Sequence, residues 1–267
     1  MRPNRLRDLL ASGSPAITGW VSVDSPYLAE VQSYCGFDAV TVDLQHGMYG
    51  LDRAVTLLQA VSAGPAVPLA RCPSHDPATI GKLLDAGAYG IICPAVDDAE
   101  QAAAFVRACR YPPAGARSFG PSRGLLYGGP DYLTHADHTI LTLAMVESAR
   151  SLANVQAILD TPGLDGIYVG PNDLALSLGE VPGLAEPSQQ IADALLHIAE
   201  ATRAAGRWAG VFCADPVMAR RMIEIGYHLV TPGTDVGIFR AAATQRIDAS
   251  RGIGSSMPGP SGSMDQT

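Results

Sequence analysis

A carboxylate and several backbone N–H groups meet in the run Gly166-Ile167-Tyr168-Val169-Gly170-Pro171-Asn172-Asp173-Leu174. Residues 167–169 are β-branched and aromatic, the composition of a buried strand, and Gly170-Pro171 breaks it. Asn172-Asp173 then opens an apolar segment of helical character. A strand that hands over to a helix in this way delivers Asp173 and unsatisfied N–H groups to one rim of a sheet. That setting suits a divalent cation held beside an organic anion. Simple capping of the helix by Asp173 is the plainer alternative, and the run alone does not separate the two.

Other polar residues stand at the ends of apolar runs in the same way. Asp43-Leu44-Gln45-His46-Gly47 ends one run, Arg71 a second and Glu147 a third, while Trp20 and Thr231 close two more. A lone histidine after a strand is more often a structural hydrogen-bonder, and a lone arginine more often a surface ion pair. If the strands are neighbours, however, His46, Arg71, Glu147 and Asp173 converge on one face. Glu147 and Asp173 then supply two oxygen ligands to a divalent cation and leave positions open for substrate and water. Such a cation can polarise a carbonyl. An acid/base carboxylate pair is the competing reading, and the accompanying histidine and arginine favour the metal.

The elements that must position these groups follow from the hydrophobic pattern. Strand-like runs at 16–21, 37–43, 67–71, 90–94, 140–146, 165–169, 209–212 and 227–231 alternate with helix-like stretches. The helices are predicted at 26–34, 51–63, 77–86, 98–110, 148–159, 189–205, 216–225 and 236–247. Strand-then-helix order of this kind predicts an α/β fold, a (β/α)8 TIM barrel formed as a single domain over 1–249. No Gly-x-Gly-x-x-Gly follows the first strand, which removes the main reason to expect a dinucleotide fold. The Gly/Pro-rich insertion 111–129, before strand five, is too long for an ordinary connection; Arg117 and Arg123 suit a lid over an anionic substrate, and solvated surface arginines are the simpler reading. Residues 250–267 carry almost no apolar content and are expected to form a disordered tail.

Composition bounds the rest. The 267 residues are 47% hydrophobic, enough for a sizeable core, and the net charge of −8 without basic runs argues against nucleic acid. No run of eighteen apolar residues suggests a membrane span, and no signal-peptide core follows Met1, so a cytoplasmic protein is expected. Cys35, Cys72, Cys93, Cys109 and Cys213 form no Cys-x-x-Cys pair and are read as reduced thiols. Lys82 is the only lysine of the chain and falls in a helical stretch. Schiff-base chemistry needs a desolvated lysine amine, so carbanion chemistry here has to rely on a metal.

Six segments together resemble the HpcH/HpaI aldolase family, the metal-dependent class II pyruvate aldolases. They are Val40-Thr41-Val42-Asp43-Leu44-Gln45-His46-Gly47, Pro68-Leu69-Ala70-Arg71, Lys82-Leu83-Leu84-Asp85-Ala86-Gly87-Ala88, the 110–117 segment from Arg110 to Arg117, Val146-Glu147-Ser148 and the 165–174 segment ending in Asn172-Asp173-Leu174. The resemblance runs in order from about Leu6 to Arg240. It implies reversible cleavage of a 4-hydroxy-2-oxo acid to pyruvate, or a related 2-oxo acid such as hydroxypyruvate, and an aldehyde, through a metal-stabilised enolate. It further implies that Glu147 and Asp173 bind Mg2+, Mn2+ or Co2+, and that the N–H groups of Asn172 and Asp173 hold the substrate carboxylate. Arg71 would stabilise the enolate, His46 made more basic by Asp85 would be the base, and Asp43 would support its water. A homo-oligomer, trimer or hexamer, is implied as well, with no nucleic-acid or membrane partner.

Two residues depart from the family pattern. Met145 stands where many members carry a substrate-contacting glutamine, and a thioether cannot replace an amide donor. Gln45 stands where several carry glutamate. The aldehyde partner is accordingly left open. Alternatives on the same site are an oxaloacetate decarboxylase or an acyl-CoA lyase. Different in class are a two-carboxylate hydrolase and a catalytically silent metal-binding barrel.

Overall fold

In a computed structural model that describes residues 1–183 and 187–252, a short helix, α1 (Arg5–Ala11), precedes the first strand. The chain continues as β1 (Ala16–Val21), α2 (Pro26–Tyr34), β2 (Ala39–Asp43), α3 (Leu51–Ala63), β3 (Val67–Arg71), α4 (Pro77–Asp85), β4 (Gly90–Cys93) and α5 (Ala99–Cys109). After α6 (Ser122–Gly128) and α7 (Tyr132–Thr139) come β5 (Leu141–Val146), α8 (Ala149–Ala153), α9 (Val155–Leu159), β6 (Gly166–Val169) and α10 (Pro171–Ser177). α11 (Gln189–Ala204), β7 (Trp208–Phe212), α12 (Pro216–Ile225), β8 (Leu229–Thr231) and α13 (Asp235–Ser250) complete the order. All eight strands are parallel, each pairs with its neighbour in sequence, and β8 returns to β1 to close the barrel. The TIM barrel expected from the alternation is therefore the observed fold.

The local reasons are legible in the residues. Strands β2 to β6 are buried on both faces, as parallel strands covered by helices must be, and they read as nearly continuous apolar runs. Several of the helices begin on side-chain caps. Ser25, Asp76, Asp98, Ser188 and Asp215 each accept from N–H groups of the first turn, and proline occupies that turn in α2, α4 and α12. Two apolar layers result. Leu57, Ile80, Phe105, Ile158 and Ile198 belong to the layer that joins helices to strands. Trp20, Leu69, Tyr89, Leu143, Met145 and Tyr168 fill the barrel interior, which Leu6 and Leu10 of α1 join. Interior side chains thus close the barrel into a packed core and leave function to its rims.

The insertion departs from expectation. It contains helix α6, and because it connects α5 to β5 it lies at the foot of the barrel, where strands begin. Arg117 has a fully buried side chain, donating to Asp85 Oδ1 at 2.7 Å and to the Tyr132 hydroxyl at 3.0 Å. Arg123 donates to the Ala86 carbonyl at the end of α4. A lid over the substrate is therefore the wrong reading for 111–129: both arginines are spent on holding the insertion against α4. Helix 148–159 also divides, into α8 and α9, around Asn154.

The chain divides into two compact units, Met1–Asp235 and Val236–Thr267. The first holds the whole barrel. The second carries α13 from its second residue to Ser250, then a turn at Arg251-Gly252. Of the tail expected to be disordered, 250–267, Ser250 instead ends α13 and Arg251-Gly252 form a turn, while 253–267 lie outside the described residues. Among the described residues no helix is long and apolar enough to cross a membrane.

Candidate active site

A cavity of about 200 Å³ opens at the rim where the strands end, lined by Trp20, Asp43, His46, Arg71, Met145, Asp173 and their neighbours. A larger groove between α11 and α12, lined by Leu195, Leu196, Val217 and Met218, lies on the outside of the barrel. The chemistry of the residues, rather than volume, locates the site.

Asp43 is its organising group. It is the last residue of β2, and the register sets it beside Arg71, the last residue of β3. Arg71 grips it as a fork: Nε to Oδ1 at 2.8 Å and Nη2 to Oδ2 at 2.7 Å. Trp20 Nε1 donates to Oδ2 at 3.1 Å, and the backbone N–H groups of Gln45 and His46 donate to Oδ1. Burial pushes the Asp43 carboxyl up, but the hydrogen bonds and charge of Arg71, with the further donors, outweigh it and hold the group below the usual range. Asp43 therefore stays ionised, orients the guanidinium, and winds the loop that presents His46 at the exposed mouth. Tyr49 braces the same loop, its hydroxyl accepting from Asp43 N at 2.9 Å and donating to the Val21 carbonyl at 2.6 Å.

Glu147 follows β5 directly and is 7% exposed. Its Oε1 accepts from Ala95 N at 2.6 Å, whereas Oε2 is buried and has no hydrogen-bond partner. Ala95 sits in the loop after β4 at a φ of 52°, a left-handed conformation that a residue with a Cβ adopts only at a cost. Burial raises the Glu147 carboxyl above its ordinary range against the Ala95 hydrogen bond, and the nearby charge of Asp173 adds to the rise. Asp173 is exposed in the first turn of α10, after β6. Two repelling carboxylates, one with a buried unpartnered oxygen, match the needs of a hard divalent cation. Among the described residues no group of three or more His, Cys, Asp or Glu converges in metal-binding geometry. Two protein oxygens and open positions are thus what these residues offer.

Gly170 makes room for this arrangement. A Cβ built there would come within 2.7 Å of Glu147 Oε2 and 3.2 Å of Met145 Cε. Gly170→Ala is therefore expected to displace the Glu147 carboxylate and weaken divalent-cation binding, read by calorimetric titration. Unchanged affinity would show that Oε2 does not face the ion.

The structure brings together His46, Arg71, Asn172 and Asp173 around the cavity, with Glu147 beside it. Asp85 is not among them. It ends α4 at the barrel foot and pairs with Arg117, whereas His46 follows β2 at the opposite rim. A helix that follows a strand runs back along it, so within one chain Asp85 does not reach His46, and the expected pair is corrected on that point. Lys82 is exposed on the same helix, away from the cavity. Sequence reasoning undervalued Asp43 and missed Ala95 and Gly170. The signal for Asp43 was present, an acid at a strand end level with the next strand's arginine. Ala95 carries no such signal, because its part is played by a backbone N–H.

Comparison with known proteins gives a consistent picture. Residues 17–242 match the family model described as HpcH/HpaI aldolase/citrate lyase. A hydroxypyruvate/pyruvate aldolase from Rhizorhabdus wittichii is 38% identical over 250 residues, covering 94% of this chain and 100% of the relative. A 5-keto-4-deoxy-D-glucarate aldolase from Klebsiella pneumoniae is 34% identical over 92% of this chain and 96% of its own. The crystal structure of an HpcH/HpaI aldolase/citrate lyase family protein from Burkholderia cenocepacia superposes with a TM-score of 0.87 at 32% identity. That match covers 93% of this chain and 99% of the other.

Proposed function

The chain belongs to the HpcH/HpaI aldolase/citrate lyase family, and from that premise we propose how its own residues carry out an aldol reaction. The protein is an aldolase, a carbon–carbon lyase that cleaves 4-hydroxy-2-oxo acids to pyruvate or a related 2-oxo acid and an aldehyde. One observation carries the assignment of the site: the unpartnered Glu147 Oε2, buried near Asp173 at the rim that also holds Arg71.

Divalent-metal dependence is typical of the family. Glu147 and Asp173 would hold the ion, Mg2+, Mn2+ or Co2+, and bound there it supplies Lewis-acid polarisation of the substrate's keto group. The protein's own groups do the rest. N–H groups of Asn172 and Asp173, in a first turn that no intrahelical bond satisfies, receive the 2-oxo acid carboxylate. His46, at the mouth, takes the proton of the C4 hydroxyl as the C3–C4 bond breaks. Arg71 donates to the C2 oxygen, on which negative charge accumulates, and Asp43 keeps the guanidinium aimed there. Met145 adds no donor to the interior wall, so specificity for the 2-oxo acid rests on its carboxylate and keto oxygens.

The C3 protons of pyruvate provide the test. In deuterated solvent the metal-loaded protein is expected to exchange them, followed by proton NMR, and His46→Ala is expected to slow the exchange by about 10²-fold or more. No exchange by the loaded wild-type protein would sink the enolate assignment. Exchange at the wild-type rate in His46→Ala would sink the assignment of the base.

A further inference from the structure

A single peptide group, between Pro94 and Ala95, joins two loops of the rim to Glu147. Its N–H donates to Glu147 Oε1 at 2.6 Å, and its carbonyl accepts from His75 Nε2 at 2.6 Å. A carbonyl oxygen can only accept, so Nε2 carries the proton in this contact. The two hydrogen bonds leave opposite edges of one trans peptide plane. His75 lies between β3 and α4, Pro94 and Ala95 lie between β4 and α5, and Glu147 directly follows β5. The ends of three successive strands are thus linked through one amide.

That amide stands in an orientation its own backbone disfavours, because Ala95 has a φ of 52°. Turning a peptide plane over is a paired change in ψ of one residue and φ of the next. A flip here returns Ala95 to an ordinary negative φ, but it swings the Pro94 carbonyl toward the Glu147 carboxylate, oxygen against oxygen. Val96 N donates to the Met145 carbonyl at 3.2 Å and ties the loop to β5, but that bond lies beyond the plane and does not choose its orientation. The His75 hydrogen bond does, from the edge that faces away from Glu147. His75 is itself fixed. It precedes Asp76, the N-cap of α4, whose carboxylate accepts from the N–H groups of Ala78 and Thr79 with Pro77 in the same turn.

We propose that His75 is a positioning residue for the cation site: by holding the Pro94–Ala95 amide, it keeps Glu147 Oε1 engaged and Oε2 free for the ion. The inference rests on the reading of Glu147 as a metal ligand. With Oε1 pinned by Ala95 N–H, the carboxylate has one orientation, in which Oε2 lies on the Gly170 side, toward the loop that carries Asp173. His75 is not among the residues that line the cavity, so it acts through Glu147 and not on the substrate. A ligand oxygen that must be found anew in each binding event binds more weakly than one already set in place.

Mn2+ titrated calorimetrically into the metal-free full-length protein reads the effect. His75→Ala is expected to raise the Kd for Mn2+ at least about tenfold, and an unchanged Kd would overturn the proposal. His75→Gln loses the ring but keeps an N–H donor near the position of Nε2, and is expected to recover most of the affinity. A loss as large as that of His75→Ala would assign the effect to packing of the ring and overturn the role of its N–H. Glycine adopts the φ of Ala95 without penalty, so adding Ala95→Gly to His75→Ala is expected to regain part of the lost affinity. No recovery would overturn the peptide-flip argument. Glu147→Gln in the same titration separates the two levels. Wild-type affinity there overturns the reading of Glu147 as a ligand and this inference with it. Weak binding by Glu147→Gln beside unchanged binding by His75→Ala overturns this inference alone.

Discussion

Arg71→Ala is expected to lower turnover by about 10²–10³, the usual cost of removing a donor from developing negative charge, while divalent-cation affinity stays within a few-fold of wild type. The split is the informative part. Arg71 lies on β3 and the carboxylates proposed to hold the ion follow β5 and β6, so the two proposed functions fall on different strands. The substitution also leaves Asp43 buried without its fork, and breaking a buried pair from one side costs about 3–5 kcal/mol. Activity therefore has to be compared at a temperature where circular dichroism reports both proteins folded. Arg71→Lys keeps the charge but cannot fork onto Asp43, so it should recover only a small part of the rate. Near-normal turnover in folded Arg71→Ala would remove the guanidinium from the chemistry.

Metal removal should have an effect at least as large. A chelator is expected to abolish aldol cleavage, and Mg2+, Mn2+ or Co2+ to restore it. Chelator-insensitive turnover would exclude the mechanism. Glu147→Gln sharpens the test because it keeps the shape of the side chain and the acceptor for Ala95 N–H. Losing a group that only hydrogen-bonds a metal ligand already costs about 10–100-fold, so loss of this ligand is expected to weaken binding by about 100-fold or more. The metal-free fold should respond in the opposite sense. Burial and the charge of Asp173 disfavour the ionised Glu147 carboxyl, so a neutral amide relieves a cost that only the ion otherwise offsets. Thermal melting of the metal-free variant at or above the wild-type midpoint, together with weaker metal binding, is the expected pair of results. A lower midpoint would mark Glu147 as structural.

Much of this site is legible in the residues alone. β1 and β3 lie over 16–21 and 67–71 as the hydrophobic pattern indicated, and the other strands differ by a few residues at their ends. Buried strands announce themselves through β-branched runs, and breaks such as Gly170-Pro171 end them. Helix α1, α6 of the insertion and α7 just after it were not anticipated. Their apolar residues are few, and their stability comes from packing: Leu6 and Leu10 join the interior core, and Tyr132 pairs with Arg117.

The sequence by itself determined the alternation of strands and helices, and with it the placement of His46, Arg71, Glu147 and Asp173 after strand ends. It also excluded lysine chemistry, through Lys82. Those inferences depend only on neighbours along the chain, where periodicity and turn chemistry operate. Tertiary structure decided which of these groups are partners. The Asp43–Arg71 fork spans 28 positions and the Ala95–Glu147 hydrogen bond spans 52. Such pairs exist because barrel closure sets adjacent strands in one register. The same closure sent Asp85 and Arg117 to the foot and left the Glu147 Oε2 atom buried without a partner. Local propensity carries no information about that atom, because its environment is assembled from β4, β5 and β6 at once.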